Sequence, residues 1–179
     1  MQVSLLVAFA FFAVGAPPPD ACAAALPEDL RKAASREFPG GKLPKQSDNL
    51  SEDIQYHLDH GGDACLGVST GSFTGRGKKD YGFLLVDRKE VWLIVATLKG
   101  KTWRFEKVWK GSTDYRLRLF VDKAAPGKFE DCCLDGELGP GQVVTFTSDH
   151  EVVVTGLTES SDIAFFKTAK GWVHVWLSD

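Results

Sequence analysis

At 179 residues, 44% hydrophobic and 25% charged, the chain can bury one sizeable core and is too short for two independent domains. This composition excludes disorder as the resting state. Twenty-one Lys and Arg against 24 Asp and Glu give a net charge of −3, and no basic stripe marks a nucleic-acid-binding face, so nucleic acid is not an expected partner.

The chain opens on an apolar run, Val3–Val14, of signal-peptide core length and too short for a comfortable membrane span. Gly15 and Pro17-Pro18-Pro19 break it, and Ala21-Cys22-Ala23 offers an A-x-A cleavage site. Residues 1–23 therefore read as a signal peptide, no transmembrane span is expected, and the mature protein is expected to be secreted or periplasmic. A lipobox ending at Cys22 fits poorly, because Asp20 stands two residues before it.

Two helices follow. Pro27 suits a first helical turn, Glu28 and Asp29 suit its positive dipole end, and Leu30, Ala33, Ala34 and Phe38 recur at helical spacing. Pro39-Gly40-Gly41 stops this helix. Ser51 to His60 reads as a shorter helix, with Ser51 or Asn49 as cap and Gly61-Gly62 as terminator.

From residue 64 onward the apolar pattern changes to a period of two and to short apolar runs. Strands are expected near Cys65–Thr70, Tyr81–Asp87, Val91–Leu98, Thr102–Trp109, Arg116–Val121, Val143–Thr147, Glu151–Val154, Asp162–Thr168 and Trp172–Leu177. Asp87–Glu90, Lys99-Gly100-Lys101 and Ala169-Lys170-Gly171 carry tight-turn chemistry. The expected fold class is α+β: a twisted antiparallel β-meander with the N-terminal helix packed on it. Residues 24–63 form the helical segment and 64–179 the β-rich core of one domain. On the last strand, Trp172, His174 and Trp176 alternate with Val173, Val175 and Leu177. Both faces are apolar or aromatic, which reads as a central strand or one with a face covered by the N-terminal helix.

The loop Gly71-Ser72-Phe73-Thr74-Gly75-Arg76-Gly77-Lys78-Lys79-Asp80 runs straight into an apolar strand. Its spacing resembles the calcium loop of FG-GAP/VCBS repeats, and the chain as a whole resembles small exported bacterial proteins of unassigned function. That resemblance implies a compartment and an architecture rather than an activity. The positions of the family's acidic ligands hold Ser72, Thr74 and Arg76, and only Asp80 remains. Calcium takes 6–8 oxygens, so the loop is expected to keep its turn geometry without tight calcium binding, with Asp80 bonding back to loop amides.

Other chemistry is sparse. Removing Cys22 leaves Cys65, Cys132 and Cys133. Adjacent cysteines rarely bridge one another, so Cys65 is expected to pair with Cys132 or Cys133, closing a loop of about 70 residues worth about 4 kcal/mol in the chain-entropy model. His57, His60 and Asp63 cluster at the end of the second helix and form a candidate metal site. Glu159-Ser160-Ser161-Asp162, with His150 and His174 elsewhere, lacks a G-x-S-x-G context and reads as a turn. Trp172 and Trp176 are the candidate aromatic binding anchors.

These features favour an exported non-enzymatic binding protein of the bacterial envelope or exterior, possessing no catalytic residues or cofactor. An inhibitor- or immunity-type module facing an unknown protein or envelope component fits them. The alternative is a small hydrolase or metal-dependent enzyme centred on His57, His60 and Asp63.

Overall fold

The computed structural model describes residues 19–88, 90–134 and 136–178. The apolar run Val3–Val14, on which the export signal rests, lies outside the described residues. The described chain begins with helix α1 (Ala21–Ala25), followed by α2 (Glu28–Glu37) and α3 (Ser51–Asp59). Ten strands follow: β1 (Val68–Gly71), β2 (Asp80–Asp87), β3 (Glu90–Lys99), β4 (Thr102–Ser112), β5 (Leu119–Ala124), β6 (Gly127–Glu130), β7 (Thr145–Ser148), β8 (Val152–Leu157), β9 (Asp162–Thr168) and β10 (Gly171–Ser178). Among these described helices none is long and apolar enough to cross a membrane.

The fold is mixed α+β and mostly β, with antiparallel sheets. It is not built on one meander. Strands β1-β2-β3-β4 form one four-stranded sheet, β10-β9-β8-β5 form a second, and β6-β7 pair as a ribbon. The first sheet is the meander that the tight turns require. The second is not, because β5 pairs with β8, in register from Leu119↔Leu157 to Ala124↔Val152.

Period-two alternation sorts the core into three clusters. Tyr81, Phe83, Leu85, Ile94 and Ala96 share one cluster with Cys22, Leu26, Leu30 and Ala34. Their neighbours Leu84, Val91, Leu93 and Val95 share the second with Leu119, Val121, Val153, Ile163 and Phe165. That second cluster therefore lies between the two sheets. The third, on the far face of the second sheet, joins Phe120, Val152, Val154, Ala164 and Val175 to Phe146 of the ribbon and to Ile54 of α3.

The helices show why local sequence starts and stops them. Asp20 caps α1, its Oδ1 accepting from the amides of Cys22 and Ala23 at 3.0 and 3.1 Å. Glu28 and Asp29 occupy the first turn of α2, and Gly40 (φ 91°) reverses the chain after it. Leu50, not Ser51 or Asn49, sits at the N-cap of α3 and gives no side-chain cap. Asn49 is engaged elsewhere, its Nδ2 donating to the carbonyls of Leu119 (2.9 Å) and Leu117 (3.3 Å).

The cysteine pairing also differs from expectation. Cys65 bridges Cys22, with Cα atoms 4.9 Å apart, and neither Cys132 nor Cys133. Those two bridge each other. Cys22 lies on α1, fully buried in the same cluster as Cys65, so it belongs to the folded core. The sequence separation of 43 gives this bridge about 4 kcal/mol in the chain-entropy model.

The final strand is also not central. β10 lies at the edge of the second sheet, and loop segments cover its outer side. Cys132 N donates to the Trp176 carbonyl, Val143 N to the His174 carbonyl, and His174 N to the Gly141 carbonyl, each at 2.9 Å. Its faces sort as the alternation requires. Trp172 and Trp176 pack against the inter-sheet cluster, and Val175 and Leu177 belong to the far face.

Candidate functional site

A cleft of about 410 Å³ opens where the C-terminal turn of α3 meets β5 and the β8–β9 turn. Two of its lining residues, Phe120 and Asp162, pair with Gly156 from either side. A Cβ at residue 156 would lie 1.8 Å from the Ser161 carbonyl oxygen and 2.9 Å from Asp162 Oδ1. Only glycine permits this close approach behind the cleft.

One wall is α3. The His57 ring packs on Phe120 with centroids 5.6 Å apart. His60 lies over exposed Tyr56 at 4.2 Å, and its Nδ1 donates to the Tyr56 carbonyl at 2.7 Å. The opposite wall carries Asp122, Glu159 and Asp162. Burial raises the Asp162 pKa above the usual carboxylate range; Asp122 adds to this rise, and His57 offsets part of it. Asp122 Oδ1 accepts from the Lys123 amide at 2.7 Å.

The β8–β9 turn is held rigidly. Glu159 has φ 57°, a left-handed conformation that costs a non-glycine residue free energy and persists only where the surroundings fix it. Arg118 does the fixing. Its Nη2 donates to the Thr158 carbonyl at 2.8 Å, and Thr158 Oγ1 donates back to the Arg118 carbonyl at 3.0 Å. Arg118 Nε also lies 3.8 Å from Asp53 Oδ2 in α3, and its Nη2 lies 3.9 Å from Glu159 Oε2. Asp53 is buried, which raises its pKa, and Arg118 opposes the rise. One guanidinium thus ties both walls of the cleft together.

The expected metal ligands do not converge. His60 lines this cleft, whereas Asp63 lines a neighbouring one of about 440 Å³. Only His57 borders both, and Cys65 is consumed by its bridge to Cys22. Among the described residues no group of three His, Cys, Asp or Glu side chains could hold a metal ion. Spacing along α3 placed His57 and His60 near one another, but Gly61 (φ 80°) turns the chain away before Asp63.

Trp172 and Trp176 do not form a displayed platform. Trp172 Nε1 donates to Glu106 Oε2 at 2.9 Å, with Lys167 5.4 Å above its ring and paired with the same carboxylate. Both indoles are packing and anchoring groups of the sheet interface.

The glycine loop keeps its shape through its own hydrogen bonds. Asp80 is fully buried, and its Oδ2 accepts from Thr74 N (2.7 Å) and Thr74 Oγ1 (2.8 Å). Ser72 Oγ donates to the Lys78 carbonyl and Ser72 N to Glu151 Oε2, each at 2.9 Å. Gly77 (φ 71°) supplies the left-handed turn, and Phe73 is fully buried beneath. The one retained acidic position therefore serves the loop as a structural acceptor.

Sequence reasoning missed Asp122, Gly156 and Arg118. The usable signal was Gly156 inside the run Val152-Val153-Val154-Thr155-Gly156-Leu157, since a lone glycine in a strand marks a close approach. Glu159-Ser160-Ser161-Asp162 does form a turn, and it faces His57 rather than His150 or His174. Comparison of the chain with protein-family models, curated proteins and solved structures gives no match.

Proposed function

We propose that this chain is an exported, non-enzymatic binding protein of the bacterial envelope or exterior, of inhibitor or immunity type. Its contact site is the acidic cleft, and its ligand is a Lys or Arg side chain of a partner protein. The observation that carries this reading is Asp162, half-buried beside Asp122, its ionisation opposed by both burial and that second carboxylate. Among the described residues no donor hydrogen-bonds to its carboxylate. A ligand ammonium or guanidinium supplies the missing counter-charge, and the Tyr56 and His60 rings offer an aromatic face to its alkyl stem. Two disulfides support an oxidising compartment.

A serine-hydrolase reading of this cleft, distinct from the one centred on His57, His60 and Asp63, would draw on Ser160, Ser178, His57 and Asp162. The Ser178 hydroxyl, however, donates to the Ser160 carbonyl and accepts from Asp162 N. Among the described residues neither serine hydroxyl is bonded to a histidine, as an activated nucleophile requires.

The test is an NMR titration of the folded protein with N-acetyl-lysine amide and N-acetyl-arginine amide. Shifts confined to residues 57, 122, 159 and 162, weakened by salt and abolished in Asp162→Asn, support the proposal. Identical shifts in wild type and variant, or none at all, reject it.

A further inference from the structure

The two disulfides differ in what governs reactivity. Cys22 and Cys65 are 0% and 4% exposed. Cys132 is exposed and Cys133 half-buried. A bridge between sequence neighbours encloses no loop, so it removes almost no freedom from the unfolded chain. Its reason for existing is therefore local.

The local setting is a turn held against the edge of β10 by hydrogen bonds, to which the bridge adds a covalent constraint. Asp131 Oδ1 accepts from Cys133 N at 3.0 Å. Asp131 Oδ2 accepts from Gln142 Nε2 at 2.8 Å and from Trp176 N at 3.1 Å. Cys132 N donates to the Trp176 carbonyl at 2.9 Å. Four hydrogen bonds thus present an accessible disulfide at a sheet edge. Accessibility and a positioned sulfur are what thiol–disulfide exchange requires.

We propose that Cys132–Cys133 is a thiol–disulfide exchange site, whose co-reactant is a dithiol of the surrounding compartment and whose opening loosens the 131–133 turn from β10. A thiolate of the dithiol attacks the Sγ of Cys132, the more exposed residue of the pair. The Sγ–Sγ bond breaks, and its electron pair leaves on Cys133 Sγ, which takes a proton from water. The dithiol's second thiol, deprotonated, then attacks its own sulfur in the mixed disulfide and expels the Cys132 thiolate, which is protonated in turn. The protein gains two electrons and two protons, and the dithiol becomes a disulfide. The buried Cys22–Cys65 bridge does not take part, so the fold survives the cycle. Reoxidation by a compartmental disulfide reverses each step.

The experiment titrates the folded full chain with dithiothreitol, alkylates it, and maps the labelled cysteines by mass spectrometry. Cys132 and Cys133 should label at a dithiol concentration about tenfold or more below that needed for Cys22 and Cys65. Hydrogen exchange on the partly reduced protein should show the Cys132, Cys133 and Trp176 amides opening about tenfold faster, with the amides of β2 and β3 unchanged. The Cys132→Ser/Cys133→Ser variant should show the fast pattern without reductant and no response to it. Simultaneous reduction of both bridges, unchanged amide exchange after selective reduction, or a double-serine variant that fails to fold would each overturn the proposal.

Discussion

Arg118 and Thr158 hold one another by reciprocal hydrogen bonds: the guanidinium donates to the threonine carbonyl at 2.8 Å, and the threonine hydroxyl donates to the arginine carbonyl at 3.0 Å. This clasp fixes the turn on which Glu159 adopts its left-handed backbone. The same arginine faces buried Asp53.

Replacing Arg118 by Met removes the guanidinium half of the clasp and leaves a buried carboxylate without its cation. The expected loss is about 1–3 kcal/mol, below that of a fully buried pair because Arg118 is 45% exposed. Urea denaturation measures it. Adding Asp53→Asn to Arg118→Met should recover part of the loss, and an additive double variant would show that the two residues are not coupled.

Asp162 sets a pH dependence of known sign. Its folded pKa is raised above 3.8 by burial and by Asp122, so the folded state holds this proton more tightly than the unfolded state does. Stability from this group is therefore fully present below the unfolded value and is lost as pH rises through the raised one. Asp162→Asn should be more stable than wild type at pH 7, with the difference shrinking as pH falls toward 4. Thermal melts of both proteins across pH 4–7 check this, and a difference that is constant with pH would refute it.

The Cys22–Cys65 bridge makes a statement about processing. A mature start at Ala24 would discard Cys22 and leave Cys65 as a free thiol. Retention of the bridge and of the Asp20 cap demands a start at or before Asp20. Intact mass of the protein isolated from its native source, with and without alkylation, should show the longer form and no free thiol. Cys22→Ser should cost about 2–5 kcal/mol.

In the glycine loop, Thr74→Ala removes the hydroxyl donor to Asp80, and a loss of about 1–2 kcal/mol is expected by denaturant titration. Calorimetry should show no sub-micromolar calcium binding to wild type. Placing Asp at 72, 74 and 76 together should raise calcium affinity if the loop geometry is that of the repeats it resembles, and unchanged affinity would remove the resemblance.

The strands were legible as short apolar runs bounded by turn residues, such as Phe83–Val86 and Val91–Leu98. Their partners were legible only where a tight turn joins successive strands, since a strand's apolar pattern says nothing about which distant strand lies alongside. The β5–β8 pairing spans the whole 125–151 region, and no turn signal announces it. α1 was hidden inside Ala21-Cys22-Ala23, small residues that serve a cleavage site and a short helix equally well. The ribbon strand β6, Gly127–Glu130, has only Phe129 as apolar content. The cleft could not be foreseen as a unit, because His57, Asp122 and Asp162 are distant in sequence and meet only after both sheets have formed.

The pairing of β5 with β8 also imposes an order on assembly. The first sheet closes from successive hairpins as the chain emerges. β5 must wait, one edge open, until residues 152–157 arrive, and non-local pairing of this kind is slow. The cleft waits longer still, since Ser178 of the last strand forms part of its lining. A nascent chain therefore has no complete cleft. On the proposed function, ligand engagement is a property of the finished molecule alone, and a partner carrying the right cation cannot trap the chain before its last strand is in place.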